Sequence, residues 1–302
     1  RDNTNNADRL VVQADGHVDV AGNLDVGAGI DVTGAITGTA DATINSVNIG
    51  KGVNSVGGNT VLGQDALNAS VSGGNNTSIG FESLTTLTSG THNTAVGSES
   101  LRGMTTGSQN VGVGFETLQS TTTADGNTAI GMRALQANTT GENNTGIGMQ
   151  SLFANTTASN NTAVGMNALV ANTTGHSNVA VGSLALDANT SASNNTAVGY
   201  NVLSAVTTTS HNTGVGNNAL AVNTSGANNA AFGSLSLDAN TTGSENTGCG
   251  RSSLSANTTG DNNTAVGRRA LGQNTTADDN TAVGFASLGA NTTGGFNTAI
   301  GS

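Results

Sequence analysis

Four histidines are the residues of this chain best suited to acid–base chemistry or metal binding, and they lie far apart in the sequence. They are His17, His92, His176 and His211. A zinc site or a general acid–base site needs several groups within a few ångströms of one another. His92 and His211 share a position of the repeat described below, but seven repeats separate them. We therefore interpret the histidines as surface substitutions, and the sequence predicts a non-enzymatic protein without catalytic residues or a cofactor.

Three glutamates are the best candidates for metal ligands. Glu82, Glu99 and Glu116 recur every 17 residues, so stacked repeats would set their carboxylates about 4.8 Å apart. A hard cation such as calcium prefers oxygen ligands of this kind. The alternative is a solvated edge on which the long side chains splay apart. We favour the solvated edge, so no metal site is predicted.

Composition excludes several classes of function. The formal net charge of −11 disfavours a nucleic-acid partner, and no apolar run approaches the length of a membrane span. The single cysteine, Cys249, supplies neither a disulfide framework nor a zinc set. With 44 Gly, no Pro and no Trp, the chain cannot build a wide hydrophobic core. Its apolar residues are nevertheless regularly placed, which is unlike a disordered segment.

A strict repeat explains this regularity. Glycine recurs every 17 residues from Gly63 to Gly301, and we call these fifteen residues the column glycines. Leucine stands four residues after each column glycine in the fourteen complete copies, from Leu67 to Leu288. Asparagine stands four residues before it in all fifteen copies, and these residues are Asn59, Asn76, Asn93, Asn110, Asn127, Asn144, Asn161, Asn178, Asn195, Asn212, Asn229, Asn246, Asn263, Asn280 and Asn297.

The repeat predicts an all-β parallel β-solenoid. Seventeen residues rich in Gly, Asn and Thr leave no room for two helices and a turn, whereas two short strands and two corners fit. Each coil would lie about 4.8 Å above the last, and the asparagines would stack as an amide ladder. In N-T-A-V the alternation of strands puts Thr and Val on one face and Ala on the other. We expect Val and Leu to be buried, Cys249 to replace Val in the core, and Ala163, Ala197 and Ala265 to face a neighbouring chain.

A different rhythm precedes the array. Hexads place Val18, Leu24, Ile30 and Ile36 in register, with Asp19, Asp25 and Asp31 beside them. Three chains that each give one hexad per turn would close a triangular β-prism, which favours a parallel homotrimer. The sequence thus divides into a hexad-repeat shaft at 1–41, a transition or hinge at 42–58 and the solenoid repeats at 59–302.

Two further columns could form surfaces. The position directly after the column glycine carries several large apolar residues, which predict a seam between chains or a binding surface; they are Phe81, Phe115, Met132, Met149, Met166, Tyr200 and Phe285. Threonines also run down the array in adjacent pairs, and regular threonine lattices occur on ice-binding solenoids. A flat lattice requires T-x-T rather than adjacent threonines, because neighbouring strand residues face opposite ways, so ice binding is the weaker hypothesis.

The stretches "NTAVGMNAL" (161–169) and "NTAVGRRAL" (263–271) resemble the SVAIGxxA repeat in the head domains of trimeric autotransporter adhesins. Similar Asn/Thr/Gly-rich arrays occur in phage tail fibres. The resemblance implies a left-handed parallel β-roll in trimeric rods that hold a binding surface away from a cell or virion. It also implies an extracellular location and a cell-surface glycan or protein receptor. The alternatives are a subunit of a homopolymeric bacterial surface filament or an ice-binding solenoid.

Overall fold

The computed structural model describes residues 10–12, 18–20 and 42–302, and the chain divides into two units, 1–39 and 40–302. In the first unit, strand β1 (Leu10–Val12) pairs antiparallel with strand β2 (Val18–Val20). Strand β2 begins the first predicted hexad. The other hexads, together with His17, Asp25 and Asp31, lie outside the described residues.

The second unit is one sheet of seventeen strands. It opens with an antiparallel hairpin of β3 (Ala42–Ile44) and β4 (Val47–Gly50), followed by a 3-10 helix at Val53–Ser55. One strand per coil follows, and these are β5 (Thr60–Gly63), β6 (Thr77–Ile79), β7 (Thr94–Val96), β8 (Val111–Val113), β9 (Thr128–Ile130), β10 (Thr145–Ile147), β11 (Thr162–Val164), β12 (Val179–Val181), β13 (Thr196–Val198), β14 (Thr213–Val215), β15 (Ala230–Phe232), β16 (Thr247–Cys249), β17 (Thr264–Val266), β18 (Thr281–Val283) and β19 (Thr298–Ile300).

From β5 onward, every strand pairs in parallel with the strand of the next coil. Thr145 lies opposite Thr162 and Ile147 opposite Val164, and the same 17-residue offset holds along the array. Identical repeat length is what allows this register, because each residue meets its own equivalent one coil further on. The prediction of an all-β parallel β-solenoid with 17-residue coils is confirmed.

The prediction of a second strand in each coil is wrong. The A-L-x-A stretch forms turns, and all fourteen leucines of its column have a positive φ, such as +51° at Leu169. A left-handed conformation costs a residue other than glycine about 1–2 kcal/mol. Two contacts offset this cost at Leu169: the side chain is fully buried, and the amide donates to Ala185 O of the next coil at 3.0 Å.

The predicted strand faces are inverted. Ala163, Ala197 and Ala265 are fully buried, whereas Thr and Val of each strand point outward. Small residues occupy this position in fourteen of the fifteen coils, and Val61 of the first coil is the exception. Where the residue is glycine, a neighbouring hydroxyl lies in its place: a Cβ on Gly112 would lie 2.6 Å from Ser100 Oγ. The alanines therefore line the core and do not face a neighbouring chain. Cys249 is exposed with the outward residues, so its interpretation as a buried replacement for Val is also wrong.

The hairpin covers the first coil. Strand β4 pairs antiparallel with β5, so that Ile49 lies opposite Leu62. Asn45 and Ser46 link β3 to β4 with φ of +49° and +67°, the positive values that a type I′ turn requires. The segment interpreted from its sequence as a transition therefore contributes two strands to the same sheet as the solenoid.

Candidate functional site

The recurring asparagines form a continuous ladder inside the solenoid. Asn161 is fully buried and donates from its backbone N to Asn144 Oδ1 at 3.0 Å and from Nδ2 to the same oxygen at 3.3 Å. Its Nδ2 also donates to Gly175 O of the next coil at 2.8 Å. Each such side chain thus links three coils, and this contact pattern repeats along the array with few gaps.

A second ladder, which the sequence reasoning missed, comes from the asparagine of the "ANTT" stretch. Asn172 Nδ2 donates to Asn155 Oδ1 at 2.9 Å and to Gly175 O at 2.9 Å. Gly175 O therefore accepts from both ladders. The signal was available, because this asparagine recurs seven residues after most column glycines from Gly131 onward.

The second ladder is interrupted at Val206. A valine cannot donate, and Asn189 Oδ1 is left buried without a hydrogen-bond partner. On the other side of the gap, Asn223 Nδ2 retains its bond to Gly226 O at 2.8 Å. An unsatisfied buried oxygen costs about 1–3 kcal/mol, so this rung is a weak point of the array.

The column glycines are required by both conformation and space. Gly165 has a φ of +138°, and a Cβ there would lie 2.6 Å from the carbonyl carbon and oxygen of Gly182. The amide of Gly182 donates to Val164 O at 2.7 Å, so the parallel pairing continues past the strand at this close approach. Any side chain would force neighbouring coils apart.

The three candidate metal ligands are bound to cationic and amide groups. Glu116 Oε2 lies 2.7 Å from Arg133 Nε and accepts from Gln136 Nε2 at 2.7 Å. Arg102 contacts both other carboxylates, with Nε 3.0 Å from Glu82 Oε2 and Nη1 3.1 Å from Glu99 Oε2. These partners neutralise the like charges that stacking brings together. Among the described residues, no group of three or more His, Cys, Asp or Glu is arranged to hold a metal ion.

The described histidines lie at separate surface positions. His92 Nε2 is 3.5 Å from Asn75 Nδ2, His176 Nδ1 is 3.3 Å from Ser177 Oγ, and His211 donates its backbone N to Ser193 O at 3.3 Å. None of these hydrogen bonds joins one of the three histidines to another. The structure therefore brings none of these three side chains into a common site.

Two aspartates are unusual because part of each carboxylate is buried without a partner. Asp187 Oδ1 and Asp238 Oδ1 make no hydrogen bond. Burial raises the pKa of both carboxyls above the ordinary value of 3.8, and nearby backbone amides offset part of the rise. The two aspartates occupy equivalent positions of the repeat. Each directly follows a leucine, a small residue and a second leucine. Their charged forms are therefore disfavoured in the folded chain.

The paired threonines have two different environments. Thr139 is half-buried, and its hydroxyl donates to Thr156 O of the next coil at 2.9 Å. Thr174, the second member of an equivalent pair, is exposed. Because one hydroxyl of each pair is used between coils, the adjacent threonines do not form a flat lattice.

The outward side of the sheet, which we call the outer face, is a regular surface of three columns. The threonine column stands three residues before each column glycine, and the valine column stands directly before it. The third column, directly after the glycine, contains the apolar seam candidates, whose exposed fractions run from 38% at Met149 to 53% at Phe285. Arg268 also lies in this column, with its guanidinium 5.6 Å from the Phe285 ring centroid.

The threonine and valine columns contain no charged residue in any of the fifteen coils. The threonine column has twelve Thr, two Val and one Ala, and every member of the valine column is apolar. A solvent-facing surface of this length without charge is typical of an interaction surface.

Within the described residues, no helix is both long enough and apolar enough to cross a bilayer. Comparisons of the chain with protein-family models, with curated protein sequences and with solved structures found no significant match.

Proposed function

We propose that this chain is a non-enzymatic extracellular fibre protein, the shaft or receptor-binding part of a phage tail fibre or a bacterial adhesin. The proposal rests on the hydrogen bonds that the recurring side chains make between coils. Both asparagine columns and the first threonine of each pair bond one coil to the next. The residues that the repeat preserves therefore hold a rod together, which is the requirement of a fibre and not of a catalytic centre.

The dimensions support the same proposal. Fifteen parallel coils spaced about 4.8 Å apart extend roughly 70 Å. A solenoid of this kind presents surface residues in columns, so a long receptor such as a polysaccharide could contact several coils at once. We accordingly propose a cell-surface glycan or protein as the partner of the exposed columns.

Location on a surface is the direct test of this role. Antibodies raised against residues 59–302 should label fibres on intact cells or virions of the organism that encodes the chain, seen by immunogold electron microscopy. Preimmune serum provides the control. Label confined to the cell interior would contradict the proposal, whereas continuous labelled filaments would favour the homopolymeric alternative.

Receptor binding is tested separately. The purified chain, displayed on fluorescent beads, should bind a subset of a glycan array or of intact bacterial cells. Binding to none of them, together with surface label, would assign the chain to the shaft rather than to the receptor-binding part.

A further inference from the structure

The distribution of charge beside the outer face is self-complementary. In the two positions after the column glycine, the first five coils carry Asp65, Glu82, Glu99 and Glu116 against Arg133, and Arg102 of the third coil pairs with two of these glutamates, which leaves a net of two negative charges. The twelfth and thirteenth coils carry Arg251, Arg268 and Arg269, a net of three positive charges. The six coils between these groups carry no charge at either position.

A second copy of the chain fits this pattern in one orientation. If two outer faces meet with their rods antiparallel and fully overlapped, the twelfth coil of one copy lies over the fourth coil of the other. Arg251 then faces the coil of Glu116, and Arg268 faces the coil of Glu99. If the two rods were instead parallel, each coil would face the same coil of the other copy. The arginines would then lie opposite the threonine column of that copy and not opposite its glutamates. Opposite charges at the rim of an interface select orientation in this way.

The area is sufficient for a stable pair. Fifteen strands at about 4.8 Å span about 67 Å, and the three columns span about 13 Å along the strands. The face therefore covers about 900 Å² per copy, or about 1,800 Å² for two copies, which is within the usual size of a specific interface. Flat parallel sheets in register can pack with their side chains interdigitated and without water between them.

We propose that the outer face binds the outer face of a second copy, with the two rods antiparallel and related by a two-fold axis. A single face accommodates one partner, and a two-fold axis closes the assembly. Fibres projecting from two facing surfaces would meet in this antiparallel orientation, so the pair would serve adhesion between like surfaces. That last step rests on the proposed function, whereas the pairing itself does not.

Mass in solution tests the pairing. The full chain of 29.4 kDa should elute as a species of two chains in size-exclusion chromatography with light scattering. Val181→Glu places a charge in the valine column at an exposed position, and we expect it to give a single chain with unchanged circular dichroism. Thr174→Glu, a substitution of an exposed threonine away from the outer face, should remain paired. A wild-type mass of one or of three chains would overturn the proposal.

Cysteine cross-linking tests the orientation. The native Cys249 lies in the valine column of the twelfth coil. In the antiparallel pair it faces the fourth coil, so Val113→Cys should give a disulfide-linked dimer on mild oxidation. Val215→Cys, in the same column, should give no dimer because its cysteine lies about 19 Å or more from any partner cysteine. Wild-type cross-linking through Cys249 alone would indicate parallel rods and reject the proposed orientation.

Two further results separate the pairing from other roles of the face. Beads that carry the chain through its C-terminus should aggregate, and Val181→Glu should abolish the aggregation. Ice-growth arrest by a monomeric wild type, lost in Val181→Glu, would instead assign the face to ice. A paired chain found only inside cells would leave the pairing intact and reject the proposed surface role.

Discussion

At the scale of single residues, the interior of the solenoid depends on hydrogen bonds from side chains to the neighbouring coils. Asn161 and Asn172 converge on Gly175 O, and both are fully buried. Buried amides are tolerated because their donors and acceptors have partners. Some buried side-chain oxygens nevertheless lack a partner, and stability should increase where Asn189 gains a donor from the neighbouring coil and where Asp187 or Asp238 is replaced by asparagine.

Val206→Asn should repair the second ladder. The new amide would donate to Asn189 Oδ1, and its own oxygen would accept from Asn223, so the free energy of unfolding should rise by about 1 kcal/mol. Chemical denaturation measures the change. Val202→Asn is the control, because Val202 is equally buried but lies outside the ladder, and it should destabilise the chain. Equal destabilisation by both variants would show that the ladder contributes nothing at this rung.

Asp187→Asn and Asp238→Asn should stabilise the chain at neutral pH. Because folding raises the pKa of each carboxyl above 3.8, the folded state favours the proton. The contribution to stability is therefore complete below pH 3.8 and is lost as pH rises through the raised pKa. Each amide variant should be more stable than wild type at pH 7, since it removes a half-buried charge, and because solvent screens these partly exposed carboxyls the gain should stay below about 1 kcal/mol.

The measurement for these variants is thermal unfolding as a function of pH. The difference between each variant and wild type should shrink as pH falls to the range in which the wild-type carboxyl is protonated. Asp279→Asn changes the same charge at an exposed position and serves as the control. A gain that does not vary with pH would contradict this account.

At the scale of elements, each coil is defined by one strand, one column glycine and one leucine whose backbone has the left-handed conformation. The glycine brings successive coils so close that a methyl group has no space, and the leucine directs its side chain into the core. These two positions set the shape of the coil.

Gly165→Ala should destabilise the solenoid strongly. Alanine at a φ of +138° is strained, and its Cβ would lie 2.6 Å from the backbone of Gly182, so we expect a loss of about 3 kcal/mol. The free energy of unfolding gives the result. At Gly57 a Cβ would meet nothing within 4 Å, and Gly57→Ala should be tolerated. A tolerated Gly165→Ala would show that neighbouring coils can separate without cost.

Much of this element could be predicted from the sequence, because the fixed spacing requires stacking in register. The first asparagine column and the buried leucines follow from that spacing. The direction of the strand faces could not be predicted from hydrophobicity, since Val164 is more apolar than Ala163 and yet points outward. The inward position holds a small residue in fourteen of the fifteen coils, and a buried valine only at Val61. The left-handed conformation of Leu169 is also a tertiary effect, because the coil must turn at a position where leucine has no local preference for a positive φ.

The candidate surface was predicted only in part, because the direction of the strand faces could not be predicted. The column after the glycine was identified from its aromatic residues and methionines, such as Phe115 and Met149. The threonine and valine columns beside it were missed, because the valines were assigned to the core. Because both columns point outward, their lack of charged residues is a property of an exposed surface and not of the core.

At the scale of the whole solenoid, length is set by the number of coils and not by any single contact. Removal of residues 166–216 deletes three complete coils and joins Gly165 to Asn217 in register. The rod should shorten by about 14 Å and should unfold cooperatively, as measured by small-angle scattering and thermal denaturation. Removal of residues 166–215 leaves one residue too many and should destabilise the array. Equal stability of the two deletions would contradict stacking by register.

The hairpin of β3 and β4 makes the two ends of the array unequal in the order of folding. Its strands are joined by a two-residue turn and form contacts between neighbours in sequence, whereas every coil beyond it must wait for a partner 17 residues away. Short loops close fastest. A chain leaving the ribosome would complete this hairpin before the coils and could then add coils one at a time as they are synthesised, each on a finished template. Translation itself would thus keep the number of unpaired strands small.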